Sequence, residues 1–196
     1  MSVIHSLCVY CGSSSGRRSD YAQAADLLAQ TLVSRNIRLI YGGASIGIMG
    51  RVADQVLQLG GEVIGVIPEA LAHKEIIHPN LTELHITQSM HERKMQMAEL
   101  ADGFIALPGG IGTLEELFEI WTWAQLGFHQ KPCGLLNIAG YYDALLQFLD
   151  HVATEQFVKF QDRQLLIVEA EPMALLDRYA QYQPPPVKSW LSKDQT

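Results

Sequence analysis

Short runs of apolar and β-branched residues alternate along the chain with stretches whose apolar positions recur every three or four residues. The first kind reads as strand covered on both faces, because a strand with one wet face would alternate with polar residues. The second kind reads as amphipathic helix. Strand runs fall at residues 6–11 (SLCVYC), 37–42 (IRLIYG), 62–67 (EVIGVI), 83–87 (ELHIT), 103–108 (GFIALP) and 133–138 (CGLLNI), with a weaker one at 165–170 (LLIVEA). Helical patterns fall at residues 19–34, 47–59, 89–101, 113–126, 141–155 and 172–182.

Strands that alternate with helices predict a parallel sheet with crossover helices on both faces. The expected fold is therefore α/β: a Rossmann-like, doubly wound parallel sheet in three layers (α/β/α), one domain over residues 1–182. Prolines 184–186 cannot continue a helix, and residues 183–196 read as an extended tail.

In such a sheet ligands bind outside the carboxyl ends of the strands, where the strand order reverses. Three predicted strands run there into glycine-rich loops, CGSSSG (11–16), YGGASIGIMG (41–50) and LPGGIGTLEE (107–116). Together they nominate one site. It is not a dinucleotide site: the first loop lacks the GxGxxG spacing, the next strand ends in Tyr41-Gly42-Gly43 where an acid is needed, and Glu115 stands where a third glycine would follow Gly110 and Gly112. Nor is it a P-loop, because Ile48 and Met49 replace the lysine and hydroxyl residue after Gly42 and Gly47. What remains can hold one phosphate on backbone N–H groups at Gly110, Gly112 and Thr113. Gly43 and the hydroxyls of Ser45 and Thr113 lie in reach.

Thr113 and Glu116 have the spacing of a capping box, with Thr113 as N-cap and Glu116 at the third helical position. That alone accounts for an acid here. A carboxylate beside an anion site repels the anion, however, unless the bound molecule develops positive charge. Cleavage of an N-glycosidic bond does so, since the departing base leaves a ribosyl cation that a carboxylate can stabilise while activating water. A second capping box, Ser89 with Glu92, opens SMHERKMQMAEL. Arg93 and Lys94 in its first turns oppose the helix dipole, so they either form a solvated basic face or serve a carboxylate or ligand.

A net charge of -7 argues against a nucleic-acid surface. No apolar stretch approaches the ~18 residues of a membrane span, and the N-terminus lacks the basic start of a signal peptide. A cytoplasmic location is expected. Cys8 and Cys11 form a CxxC, but inside a strand run and without a second pair, and the seven histidines lack ligand spacing. No metal site is expected.

PGGIGTLEE is similar to the PGGxGTxxE motif of the LOG family, the cytokinin riboside 5′-monophosphate phosphoribohydrolases, and YGGASIGIMG and MHERKMQM resemble its companion motifs. The resemblance spans residues 3–168. Related chains often carry the label lysine decarboxylase, which no lysine in a pyridoxal-phosphate setting supports here. The resemblance implies a Rossmann-like homodimer that hydrolyses a purine nucleoside 5′-monophosphate to free base and ribose 5-phosphate, without cofactor. Carried over by motif, Arg93 and Glu116 are the catalytic pair. Lys94 and the run Gly110, Ile111, Gly112, Thr113, Leu114, Glu115 and Glu116 bind substrate. Glu75 matches an acidic position that reads base or ribose, and Thr122 another binding position, placed around the helix from Glu116 and so suited to a differently placed site, such as one across the dimer. Ala44 departs from the family, which commonly has a third glycine; its methyl narrows the phosphate approach if φ there is positive. Leu114, Phe118 and Trp121 share a helical face suited to core or dimer contact, with Trp123 pointing elsewhere. The rival reading is a non-catalytic nucleotide-binding or carrier protein of the same fold, which has no need of the Arg93/Glu116 pair.

Overall fold

In the computed structural model, which describes residues 4–72 and 77–184, the apolar runs become seven strands. They are β1 (Ser6–Tyr10), β2 (Arg38–Tyr41), β3 (Val63–Pro68), β4 (Glu83–Thr87), β5 (Gly103–Ala106), β6 (Cys133–Leu136) and β7 (Leu166–Glu169). All pair in parallel in the order β4-β3-β2-β1-β5-β6-β7. Among the described residues seven α-helices connect them and an eighth follows β7: α1 (Ser19–Ser34), α2 (Gly47–Gln58), α3 (Glu69–Ala72), α4 (Met90–Leu100), α5 (Ile111–Leu126), α6 (Asp143–Thr154), α7 (Phe160–Arg163) and, last, α8 (Pro172–Ala180). Glu75 and the tail beyond residue 184 lie outside the described residues.

The core is split by the sheet, as a doubly wound fold requires. Leu28 of α1, Val52 of α2 and Leu175 of α8 pack on one face with Leu7, Val9, Leu39 and Ile105. Met97 of α4, Leu117 and Trp121 of α5 and Leu149 of α6 pack on the other with Cys8, Ile40 and Phe104. The weak run at 165–170 is a genuine edge strand, β7, in register with β6. Strand β5 stops at Ala106, short of the expected 108, since Pro108 has no N–H to give the ladder. Strand β6 stops at Leu136 and passes into a 3₁₀ turn, Ile138–Gly140. Helices α3 and α7, four residues each, escape periodicity because they are barely one turn long.

The chain winds outward from β1 to β4, then returns past β1 to start β5. The carboxyl ends of β1 and β5 thus flank the point where the order reverses. There the three glycine loops meet. Gly12 N–H donates to Pro108 O at 3.3 Å, and Gly12 O accepts from Ile48 and Met49 N–H at 3.0 and 3.2 Å. Gly47 has φ +61°, and a Cβ on it would lie 2.3 Å from the Ser13 carbonyl carbon. Gly47→Ala is therefore expected to cost roughly 2–4 kcal/mol through left-handed strain and overlap, read as a lower midpoint in urea denaturation. Ala44 carries no such strain: it is absent from the positive-φ residues and sits buried, bridged to Ile77. The methyl in place of a third glycine is accommodated.

Candidate active site

Helix α4 delivers Arg93. Ser89 caps it, its hydroxyl oxygen accepting from Glu92 N–H at 3.1 Å. Glu92 Oε2 accepts in return from Gln88 N–H at 2.8 Å, one residue ahead of the cap. With the helix start fixed, Arg93 in the next turn faces the sheet and is buried. Its Nε donates to Val66 O of β3 at 2.9 Å and its Nη1 to Glu116 Oε1 at 2.7 Å. A Cβ on Gly42 would lie 2.6 Å from Nη2. The first glycine of the YGG motif thus makes room for the guanidinium.

Helix α5 delivers Glu116, by a different local route from the one its sequence suggests. Gly110, not Thr113, is the N-cap, with no side-chain cap bond, and the helix starts at Ile111. The Thr113/Glu116 capping box does not form. The paired glycines 109 and 110 allow the chain to turn into helix sooner, and Thr113 becomes the third helical residue, buried under the loop. Its hydroxyl fills the space a Cβ on Gly109 would occupy, at 2.1 Å. Glu116 falls in the second turn, where capping cannot explain it. The N–H groups of Gly110, Ile111, Gly112 and Thr113 have no intrahelical acceptor, and a Cβ on Gly110 or Gly112 would meet nothing within 4 Å. Donors without a cap lie under glycine surfaces open to approach.

Burial raises the pKa of the Glu116 carboxyl above its usual range, and neighbouring Arg93 pulls it back only in part. A carboxylate in this setting is a better base than an exposed one.

Other expected binding residues are placed differently. Lys94 Nζ lies 2.6 Å from Glu115 Oε1 and 3.0 Å from Glu119 Oε1, so Lys94 and Glu115 tie α4 to α5. Leu114 packs on the core, whereas Ile111 is exposed beside the open glycines. Gly43 has φ +82° and its carbonyl accepts from His78 N–H at 3.0 Å; Ser45 is half-buried nearby in chain. Thr122 is exposed, its hydroxyl donating to Phe118 O at 2.7 Å. It lies about 9 Å along α5 from Glu116 and roughly 120° around it, so it does not join the pair. Phe118 stacks on Trp121 with centroids 6.0 Å apart. Trp123, expected to point away, packs on the same core cluster.

Two residues that sequence reasoning missed border the site. Tyr141 Oη donates to Gly109 O at 2.6 Å and Tyr142 Oη to Leu107 O at 2.7 Å. A cavity of about 260 Å³ opens between the serines of the first loop, Tyr21, Gly110 and Tyr141. The available signal was NIAGYY, a turn-rich segment following the strand next to β5. A cavity of about 450 Å³ lies at His5, Asn36, Arg38, Gly61 and Glu62, toward the amino ends of the strands and at the opposite edge from the three site loops. Cys8 and Cys11 are free and belong to clusters on opposite faces of the sheet, with burial pushing both thiols up. They form no redox pair. Among the described residues no group of three or more His, Cys, Asp or Glu is placed to hold a metal, and no helix is long and apolar enough to cross a membrane.

Fold and site together define a Rossmann-like chain with a buried arginine–glutamate pair beside an uncapped, glycine-rich helix start. The family model described as possible lysine decarboxylase matches residues 49–179. Among curated relatives, LOGL1 of Oryza sativa subsp. japonica, a probable cytokinin riboside 5′-monophosphate phosphoribohydrolase, is 51% identical over 176 residues, covering 90% of this chain and 79% of that protein. The cytokinin riboside 5′-monophosphate phosphoribohydrolase LOG5 of Arabidopsis thaliana is 49% identical over 178 residues, 91% of this chain and 78% of that protein. The chain belongs to this LOG family. Among solved structures, the molybdenum cofactor carrier protein of Chlamydomonas reinhardtii superposes with a TM-score of 0.67 at 18% identity, covering 91% of this chain and 99% of that one. The molybdenum cofactor binding protein of Rippkaea orientalis gives 0.67 at 20%, covering 90% and 96%. These two share the fold.

Proposed function

We propose that this chain hydrolyses the N-glycosidic bond of a purine nucleoside 5′-monophosphate, adenine or a prenylated adenine being the base, and releases the base and ribose 5-phosphate. The observation that carries the reading is the 2.7 Å pair of Arg93 and Glu116 at the helix that starts with uncapped donors. The relatives that share about half of its residues are named as cytokinin riboside 5′-monophosphate phosphoribohydrolases, LOGL1 as a probable one. The 5′-phosphate rests on the N–H groups of Gly110, Gly112 and Thr113, which brings C1′ toward Glu116. The C1′–N bond breaks with its electron pair leaving on the base. The ionised carboxylate stabilises the ribosyl cation and takes a proton from the water whose oxygen attacks C1′. Arg93 orients that carboxylate and keeps it ionised. The base gains its proton from solvent.

The active form in this reading is a homodimer. Exposed Met90 and Met95 on α4, with Ile86 on the edge strand β4, supply apolar surface for a second copy. Light scattering is expected to return twice the chain mass, and a monomer that hydrolyses at full rate would overturn the dimer.

Chromatography of the protein incubated separately with AMP and isopentenyl-AMP tests the reaction. Free base and ribose 5-phosphate in equal amounts are expected, the faster nucleotide identifying the preferred base. Tight binding of both without base release would instead favour the carrier reading.

A further inference from the structure

The stretch Leu107-Pro108-Gly109-Gly110 must present N–H groups to an anion while its carbonyls, of opposite polarity, are kept out of the way. Each carbonyl has a donor. Leu107 O accepts from Tyr142 Oη at 2.7 Å, Pro108 O from Gly12 N–H at 3.3 Å, Gly109 O from Tyr141 Oη at 2.6 Å, and Gly110 O from Leu114 N–H at 3.2 Å. Of these, the bond at Gly109 matters most. Two successive glycines give this stretch more backbone freedom than any other pair of residues, so the Gly109–Gly110 peptide needs an outside restraint. In a trans peptide the C=O and the following N–H point in opposite directions. Fixing Gly109 O against Tyr141 therefore fixes the direction of Gly110 N–H, the first of the uncapped donors.

The turn that supplies Tyr141 is built to place it. Ala139 and Gly140 have φ of +50° and +72°, two successive left-handed residues that reverse the chain after β6. For alanine that conformation is strained, and such strain persists only where surrounding structure enforces it. Asn137 enforces it here: its Oδ1 accepts from Tyr142 N–H at 2.8 Å and its Nδ2 donates to Asp143 Oδ1 at 2.7 Å. The two tyrosines then divide the work. Tyr142 is buried and structural. Tyr141 is 42% exposed, borders the 260 Å³ cavity, and meets Tyr21 and Tyr142 edge-on, with centroids 5.4 and 4.7 Å away.

We propose that Tyr141 is a positioning residue for the substrate's phosphate: its hydroxyl holds the Gly109–Gly110 peptide with the carbonyl turned away from the anion and the N–H available to it. This rests on the reading that the loop holds the 5′-phosphate. The test is Tyr141→Phe, which keeps the ring and its edge contacts and removes only the hydroxyl. Calorimetry is expected to show ribose 5-phosphate binding weakened about tenfold, as for one lost hydrogen bond of this kind. The KM for AMP should rise by a similar factor, with kcat within about twofold of wild type. Adenosine, which lacks the phosphate, should bind both proteins equally, and the melting temperature should stay close to wild type because the lost group is half-exposed.

Unchanged ribose 5-phosphate affinity in the variant, or an equal loss for adenosine, would overturn the assignment. Because binding is read directly, the outcomes separate from those of the hydrolase reading. Tyrosine-dependent binding with no base release would remove the hydrolase and keep Tyr141. Tyrosine-independent binding with normal base release would remove Tyr141 alone. Failure of wild type to bind ribose 5-phosphate would remove the phosphate loop and Tyr141 with it, and base release alone would then decide the hydrolase.

Discussion

Glu116→Gln is expected to lower the rate of base release by about a thousandfold, while ribose 5-phosphate binds within roughly threefold of wild type. The magnitude is that of losing a positioned acid–base group together with a charge aimed at a developing cation. Glutamine keeps the shape and an oxygen for Arg93 Nη1, now 2.7 Å from Glu116 Oε1, so collapse of the pair cannot be blamed for the loss. The phosphate donors sit in the first turn of α5 and depend on no bond to Glu116, which is why binding survives. The sign of the pH dependence follows from the same carboxyl. Burial raises its pKa, and the ionised form is the active one. Wild-type activity is then present above that raised value and lost as pH falls through it, so the acid limb of kcat/KM lies above the ordinary carboxylate range. The linked stability has the opposite sign. Between the unfolded and the raised folded value the native state binds more protons, so stability falls as pH rises through this window, and the glutamine variant lacks that slope. A variant retaining a tenth of wild-type activity, or an acid limb at the usual carboxylate position, would contradict this account of Glu116.

How much of this was legible in the chain depends on whether the signal is local. The apolar runs gave every strand of the described sheet, because strands buried on both faces leave a record that needs no knowledge of neighbours. The three glycine loops named the site for a similar reason: glycines at strand ends are backbone requirements written into the sequence, and Gly42 and Gly47 prove to be demanded by Arg93 and Ser13. Arg93 announced itself by opposing its own helix dipole. Thr113 misled. The Thr-x-x-Glu spacing satisfies the capping rule, but Gly109 and Gly110 start the helix earlier, and a local motif lost to the turn before it. The carboxylate partners of Lys94, Glu115 and Glu119, are on another helix and have no fixed spacing from it, so the chain alone does not name them. Tyr141 and Gly109 are 32 residues apart, and only the adjacency of β5 and β6 brings them together.

Arg93→Ala is expected to destabilise the protein by about 3 kcal/mol at neutral pH and to reduce base release by more than about a hundredfold. Two groups lose a partner at once: Glu116 becomes a buried carboxylate without its counter-charge, and Val66 O loses the Nε donor 2.9 Å away. Arg93→Lys restores charge but not the planar fork that spans both acceptors, so it should recover stability only in part. The pair makes a sharper forecast than either residue. With Arg93 gone, the largest influence lowering the Glu116 pKa is removed while desolvation remains, so the carboxyl rises further and its acid limb moves to higher pH. Protonating it also removes the unpaired charge. The destabilisation of Arg93→Ala, measured by urea denaturation, should therefore shrink as pH is lowered through the new value, since the folded state then gains the proton that relieves it. Adding Glu116→Gln should relieve it at neutral pH as well, leaving the double variant more stable than Arg93→Ala alone. If the double variant is no more stable and the acid limb stays where wild type has it, Arg93 packs against the sheet without tuning the carboxylate, and the ionised base must owe its charge to something else.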